Sequence, residues 1–249
     1  MPRQARKKSE NDMYHNMLRG INMQQIFLYD EDYDKFLWVL YEVKQVSEYK
    51  LFAYCLMGNH IHLLIKCEKE PLESIFRRVG GKFVYWYNAK YQRVGHLFQD
   101  RFKSEPVDSD SYLLSVIRYI HQNPVKAGLC DNIADYRYSS FREYCGNGWI
   151  VDKDVILEMV PMEYFVAFNN SVNDDKFLEF DDNIVVRLTD EQAKTVIELY
   201  SGSKTPDEFQ RVSEKEQAGY FKKFIEEGMS LRQISRLTGV NLSVIRRNC

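Results

Sequence analysis

The spacing of apolar residues in the first half of the chain changes period several times, and each change marks an element. Met13 to Asn22 has strand character. The stretch "YDEDYDKFLWVLYEVKQVSEYK" places Phe36, Leu37, Leu40 and Val43 at helical spacing behind acids that favour a helix N-terminus. Leu51 to Cys67 is rich in aliphatic and β-branched residues and predicts a strand pair, or one strand bent at Gly58. A second helix is expected over Pro71 to Lys90, then a short extended segment in "GHLFQDRFKSEPV" that ends before Pro106. Ser109 or Ser111 can cap a third helix running to about Gln122, with Leu113, Val116, Ile117 and Ile120 toward the core. The order β-α-β-β-α-β followed by a helix predicts an α+β fold with helices on one face of an antiparallel sheet.

Past residue 160 the character changes. Glu163 to Glu191 holds eight acids and two bases, and its segment "NNSVNDDKFLEFDDN" has the composition of a linker. The expected division is 1–160, an acidic linker over 161–187, and a helical part over 188–249. Thr189 to Gln192 and Ser213 to Glu216 are capping-box patterns, each starting a helix. In "SLRQISRLTGVNLSVIRRN", Ser230 can cap one helix, Gly239 can end it in a left-handed conformation, and Asn241 can cap the last one. Ile234, Leu237, Val240 and Ile245 fall where two helices crossing at a glycine turn must touch, with the small Ser235 at their close approach. This is the pattern of a helix-turn-helix, and four arginines with no acid from Gly228 onward, Arg246 and Arg247 among them, suit a duplex-facing surface. An ordinary helical hairpin is the alternative.

Net charge is −2, so any contact with nucleic acid must come from local patches. Between Phe76 and Lys103 there are seven bases (Arg77, Arg78, Lys82, Lys90, Arg93, Arg101, Lys103) and one acid, interleaved with aromatic rings. Cations follow phosphates and flat rings stack on unpaired bases, which suits single strands. An amphipathic helix with a solvated face and an aromatic core face explains the same residues. The five cysteines are scattered and form no Cys-x-x-Cys pair, as in a reducing compartment. No apolar run nears the roughly 18 residues of a membrane span, and no secretion signal is visible, so the cytoplasm is the expected location.

The candidate chemistry centres on "GNHIHLLI". In a strand His60 and His62 point to one side, and Ile61, Leu63, Ile65 and Cys67 to the other. Two imidazoles so placed can converge on one divalent cation, or can be satisfied surface histidines. A zinc site of Cys55, His60, His62 and Cys67 is opposed by parity for Cys67, and Cys55 would need a bend at Gly58. Further on, "YLLSVIRYIHQNPVKAGL" puts Asn123 four residues after Tyr119 on one helix face, with Pro124 expected to end that helix. Asn123 can equally cap a following short helix that Gly128 closes.

Taken together, "MGNHIHLLI", "RYIHQNPVKAGL", "GHLFQDRFKS" and "IFLYDEDYDKFL" resemble the single-tyrosine HUH transposases, within them the REP-associated and insertion-sequence 200-like proteins, over about residues 13 to 145. Gly58 departs from relatives that have proline before the Asn-His. The resemblance implies a ferredoxin-like HUH nuclease domain that nicks and rejoins single-stranded or hairpin DNA. It implies His60, His62 and Asn123 as ligands of Mg²⁺ or Mn²⁺ and Tyr119 as nucleophile, forming a 5′-phosphotyrosine link. Gln122 and His121 are alternative third ligands; Arg118 and Lys126 can touch phosphates, and a solvated helix face explains them as well. Monomer and homodimer both stay open. A non-catalytic nucleic-acid binder and a metal-dependent hydrolase are the competing readings.

Overall fold

Four strands pair antiparallel in the order β2-β3-β1-β4, with β1 at Met13–Arg19, β2 at Lys50–Leu56, β3 at His60–Lys66 and β4 at Lys103–Pro106. This structure, a computed structural model, describes residues 6–146, 148–172, 177 and 190–248. The helix α1 (Asp30–Ser47) joins β1 to β2, and α2 (Leu72–Lys90) joins β3 to β4. Side chains alternate across a strand, so Ile61, Leu63 and Ile65 share one core with Phe36, Leu40, Ile75 and Phe83 of these two helices. The third helix, α3 (Asp110–Lys126), covers the opposite face, where Val116, Ile117 and Ile120 pack on Phe52, Ala53 and Leu64. The two crossover helices thus lie on one face, as the pattern predicts, and α3 closes the other. Each fully buried Leu, Ile or Phe contributes about 1.5–3 kcal/mol, and the two cores hold the sheet from both sides.

Local rules account for most of the boundaries. Ser109 caps α3 by accepting the Tyr112 N–H. The first strand is shorter than expected: it ends at Arg19, and Ile21–Met23 forms a 3-10 turn with Asn22 at φ 52°. At Gly58, between β2 and β3, a Cβ would overlap Oε1 of Gln25, while the Gly58 carbonyl accepts from the Ile26 N–H at 2.7 Å.

Two expectations are corrected here. Pro124 does not end its helix. It sits inside the last turn of α3, which runs two residues further, because the carbonyls of Asn123, Pro124 and Val125 are taken up by the N–H groups of Ala127, Leu129 and Gly128. The segment expected as linker from 161 begins instead with ordered structure. After α4 (Phe141–Cys145) and α5 (Asp154–Met159), α6 (Met162–Asn170) seats Phe165, 1% exposed, in the α3-side core. Of the remaining linker segment, 173–176 and 178–187 lie outside the described residues, as does Thr189.

The chain divides into two compact units, Met1–Glu179 and Phe180–Cys249. The second consists of α7 (Asp190–Ser201), α8 (Pro206–Gln210), α9 (Glu214–Glu226), α10 (Leu231–Thr238) and α11 (Leu242–Arg247) around Phe209, Phe221, Phe224, Ile234 and Ile245. Ser230 caps α10, Gly239 ends it at φ 70°, and Asn241 caps α11. The Ser235 hydroxyl donates to the Val240 carbonyl at 2.7 Å across the turn, which is why a small residue stands there.

Candidate active site

The strand parity of β3 decides which side of the sheet carries the imidazoles. His62 lies under α3, on the face away from α1 and α2, and its neighbour Leu64 packs in the α3-side core. His60 and His62 stand edge to face with centroids 5.1 Å apart. Tyr119, reaching down from α3, meets His62 edge to face at 5.6 Å. Residues 57 positions apart in sequence therefore share one site within a single chain, because α3 crosses the sheet above β3.

A third imidazole is present that sequence reasoning missed. His15 on β1 is fully buried; its Nε2 is 3.1 Å from Nδ1 of His62, and its ring meets Tyr119 at 5.8 Å. The clue in the sequence is a polar pair, His15-Asn16, inside a strand otherwise flanked by apolar residues. Burial pushes the pKa of His62 well below the ordinary imidazole value, with the neighbouring His15 and His60 adding to the effect. Burial lowers His15 as well, opposed by the carboxylate of Glu105. Burial thus favours the neutral form of both rings, the form a metal ligand requires.

The donor set fits a divalent ion. The Nδ1 of His60 lies 2.7 Å from Oδ1 of Asn59, an acceptor only, so His60 carries its proton on Nδ1 and keeps an Nε2 lone pair. Imidazole ligands are held in this way, by a hydrogen bond from the other ring nitrogen. The remaining candidates divide clearly. Asn123, half-buried, donates from its side chain to the Tyr119 carbonyl at 3.0 Å, one turn from the tyrosine ring. The Gln122 amide donates to the carbonyls of Asn169 and Ser171 on the α6 side. His121 bonds Oδ1 of Asn169 at 2.7 Å and Oγ of Ser140 at 2.8 Å, fully buried away from the strand histidines. Among the described residues no group of three or more His, Cys, Asp or Glu side chains is arranged to hold a metal. A four-ligand zinc site is also excluded by geometry: Cys67 packs with the α1-α2 core, and burial raises its thiol to about 12. The chain does reverse at Gly58, which makes Cys55 the cross-strand partner of His62 on the same face, but Cys55 is a buried thiol 3.5 Å from the Met57 sulfur.

Access to Tyr119 is narrow. The phenol is 3% exposed, Phe177 packs against its ring at 4.7 Å, and the Lys126 ammonium lies 5.3 Å from the ring centroid. Arg118 is engaged elsewhere, donating to Ser171 and lying over Phe168.

Much of the basic aromatic segment is engaged within the chain, and three of its seven bases pair with acids. Lys90 bridges Glu31 and the buried Asp32 at 2.7 Å each, Lys82 pairs with Glu42 at 3.0 Å, and Arg78 forks onto Glu70. Arg93 donates to Gln24, and Arg77 to Ser74 within its own helix. Phe83, Tyr87 and Phe102 are core residues; Tyr85 alone among the large rings of α2 is open, at 81% exposure. The expected base-stacking face is therefore mostly a packing face, since β-sheet burial uses the same rings. Arg101 is exposed and lines, with Arg6, Lys7 and Lys8, a cleft of about 340 Å³ beside Tyr14 and Ser104. Lys103 stands half-buried on β4. In the second unit Arg246 and Arg247 are exposed, whereas Arg236 pairs with Asp190.

The site is a four-stranded sheet bearing a histidine pair beneath a helical tyrosine, and residues 8–123, which carry most of it, match the family "Transposase IS200 like". That stretch is a little under half of the chain, and over it the sequence is similar to the IS200-like transposases. Its relatives are more particular. A REP-associated tyrosine transposase of Haemophilus influenzae is 29% identical over 136 residues, 49% of this chain and 71% of that protein. The solved structure of a REP-associated tyrosine transposase bound to a REP hairpin shares the fold, with a TM-score of 0.55 and 17% identity, over 71% of this chain and 95% of that one. Among the described residues no helix is long and apolar enough to cross a membrane.

Proposed function

We propose that this protein nicks and rejoins single-stranded DNA next to a hairpin, with Tyr119 as nucleophile. The observation that carries the reading is the approach of the Tyr119 ring to His62 at 5.6 Å within one chain. The phenol oxygen attacks the scissile phosphorus, a Tyr119 O–P bond forms, the bond from phosphorus to the 3′-oxygen breaks, and that oxygen leaves with a proton as a 3′-hydroxyl. The 5′-phosphotyrosine link keeps the bond energy, so the reverse attack by a 3′-hydroxyl joins strands. His60 and His62, with Asn123 as third ligand, hold Mg²⁺ or Mn²⁺, which when bound neutralises charge on the phosphate oxygens. Lys126, beside the phenol, attracts the same phosphate. The hairpin preference rests on the likeness to the REP-associated relatives. Arg101 with Lys7 and Lys8 supplies a strand-tracking cleft, whose Arg6 is already paired with Glu73, and α10 with α11 contacts duplex through Arg246 and Arg247.

The test is a labelled hairpin with a single-stranded flank, incubated with Mn²⁺ and resolved on a denaturing gel. Label migrating with the protein, lost in Tyr119→Phe and on chelation, is the expected result. A free 5′-phosphate with no adduct would instead make the protein a hydrolase, and retained hairpin binding without any cleavage would make it a binder.

A further inference from the structure

The bond between His15 and His62 poses a question of proton position that the surrounding charges answer. Two neutral imidazoles can share one hydrogen bond in two ways. Either Nε2 of His15 donates to Nδ1 of His62, which leaves His62 protonated on Nε2, or Nδ1 of His62 donates to Nε2 of His15, which leaves Nε2 of His62 as a bare lone pair. The two arrangements differ at the far side of His15. Its Nδ1 is buried and has no hydrogen-bond partner, and the carboxylate of Glu105, its cross-strand neighbour on β4, stands 3.8 Å away. In the first arrangement a ring lone pair faces that carboxylate, which is repulsive; in the second an N–H faces it, which is attractive. At under 4 Å and with His15 out of solvent, this difference favours the second arrangement.

We propose that His15, set by Glu105, is the positioning residue that fixes His62 in the tautomer with a free Nε2, so that β1 and β4 prepare the ligand carried by β3. The sheet order makes this possible. β1 lies between β3 and β4, so one residue of β1 can touch both, with His15 opposite Glu105 on one side and opposite Leu64, next but one to His62, on the other. The same ring also meets Tyr119 edge-on, which ties the ligand and the nucleophile to one support. The role assigned to His62 as ligand rests on the function proposed above; the tautomer does not.

Two measurements on the full chain separate these. Imidazole ¹⁵N spectra of the metal-free protein, assigned with His62→Gln and His15→Gln, should show His62 protonated on Nδ1 and unprotonated on Nε2; the reverse overturns the proposal. Titration with Mn²⁺ in the absence of DNA should show binding weakened about 10- to 100-fold in His15→Leu, the range for lost supporting contacts to a ligating histidine. Glu105→Gln should weaken it less, and His15→Gln, whose amide oxygen can still accept from Nδ1 of His62, should restore most of the affinity. A folded His15→Leu that binds Mn²⁺ as the parent does, while His62→Ala does not, overturns the proposal. If His60→Ala and His62→Ala also leave Mn²⁺ binding unchanged, the metal assignment fails, and the spectrum still decides the role of His15. Should His15→Leu not fold, the parent spectrum and His15→Gln remain decisive.

Discussion

Lys90 and Arg101 lie in the same basic segment, and their surroundings assign them opposite jobs. The Lys90 ammonium, 22% exposed, is held between Glu31 and Asp32 at 2.7 Å each, and Asp32 is buried and also accepts from Tyr91 and from the N–H groups of Leu28 and Tyr29. Lys90→Met keeps the stem against Trp86 but leaves Asp32 with no cation. Breaking a buried pair from one side costs roughly 3–5 kcal/mol, and the partial exposure of Lys90 with the surviving hydrogen bonds sets the lower end, about 3 kcal/mol. For a unit of this size that is a fall in Tm of roughly 6–12 °C. Burial alone would raise the Asp32 pKa above its ordinary 3.8, but the bonds from Lys90, Tyr29 and Tyr91 hold it below. Stability from this carboxylate is thus present above its unfolded pKa and lost as pH falls through the depressed folded value; in Lys90→Met that loss moves to higher pH. Binding of single-stranded DNA should keep its salt dependence in Lys90→Met, since no phosphate contact is removed. Arg101→Ala should do the reverse, with stability changed by less than about 0.5 kcal/mol and the slope of log K against log salt reduced by about 0.7. Thermal unfolding and fluorescence anisotropy across a salt series read both quantities. A lowered salt slope in Lys90→Met at unchanged Tm would refute the assignment.

Gly239→Ala forces a side chain into φ 70° and against Nε2 of Gln210, so the second unit should lose about 1–2 kcal/mol in urea unfolding, and an unchanged midpoint would contradict the turn geometry. His121 is pushed to about 4 by burial, with its bond to Asn169 opposing. Because the unfolded chain then binds a proton that the native one does not, stability should fall by about 3 kcal/mol between pH 6.5 and 4; His121→Gln should flatten that part of the pH profile. Phe177→Ala uncovers the Tyr119 ring, and the initial rate of adduct formation with labelled DNA should rise; a slower or equal rate would show that this ring does not limit access.

What the sequence could carry was whatever follows from fixed local geometry. The alternation of a strand is enough to set His60 and His62 on one face and Cys67 on the other, and a glycine between two capped helices is enough to place Ser235 at the turn. The meeting of Tyr119 with the pair has no local cause; it came through resemblance, because it depends on which face α3 crosses. His15 stayed hidden for the same reason, since its contact exists only if β1 inserts between β3 and β4. The basic segment misled in a more instructive way. Its charges were plain, but the acids that neutralise Lys82 and Lys90 lie 40 and 58 residues earlier, on a helix that only the fold brings alongside. A patch counted along the chain overstates the free charge wherever the paired helix is acidic, as α1 is with Asp30, Glu31 and Asp32 in its first turn. Free charge must be counted after pairing: acids take up Arg78, Lys82 and Lys90, whereas Arg77 and Arg93 bond neutral groups and keep their charge, and Arg101 stands exposed just before β4, next to the strand that carries His15.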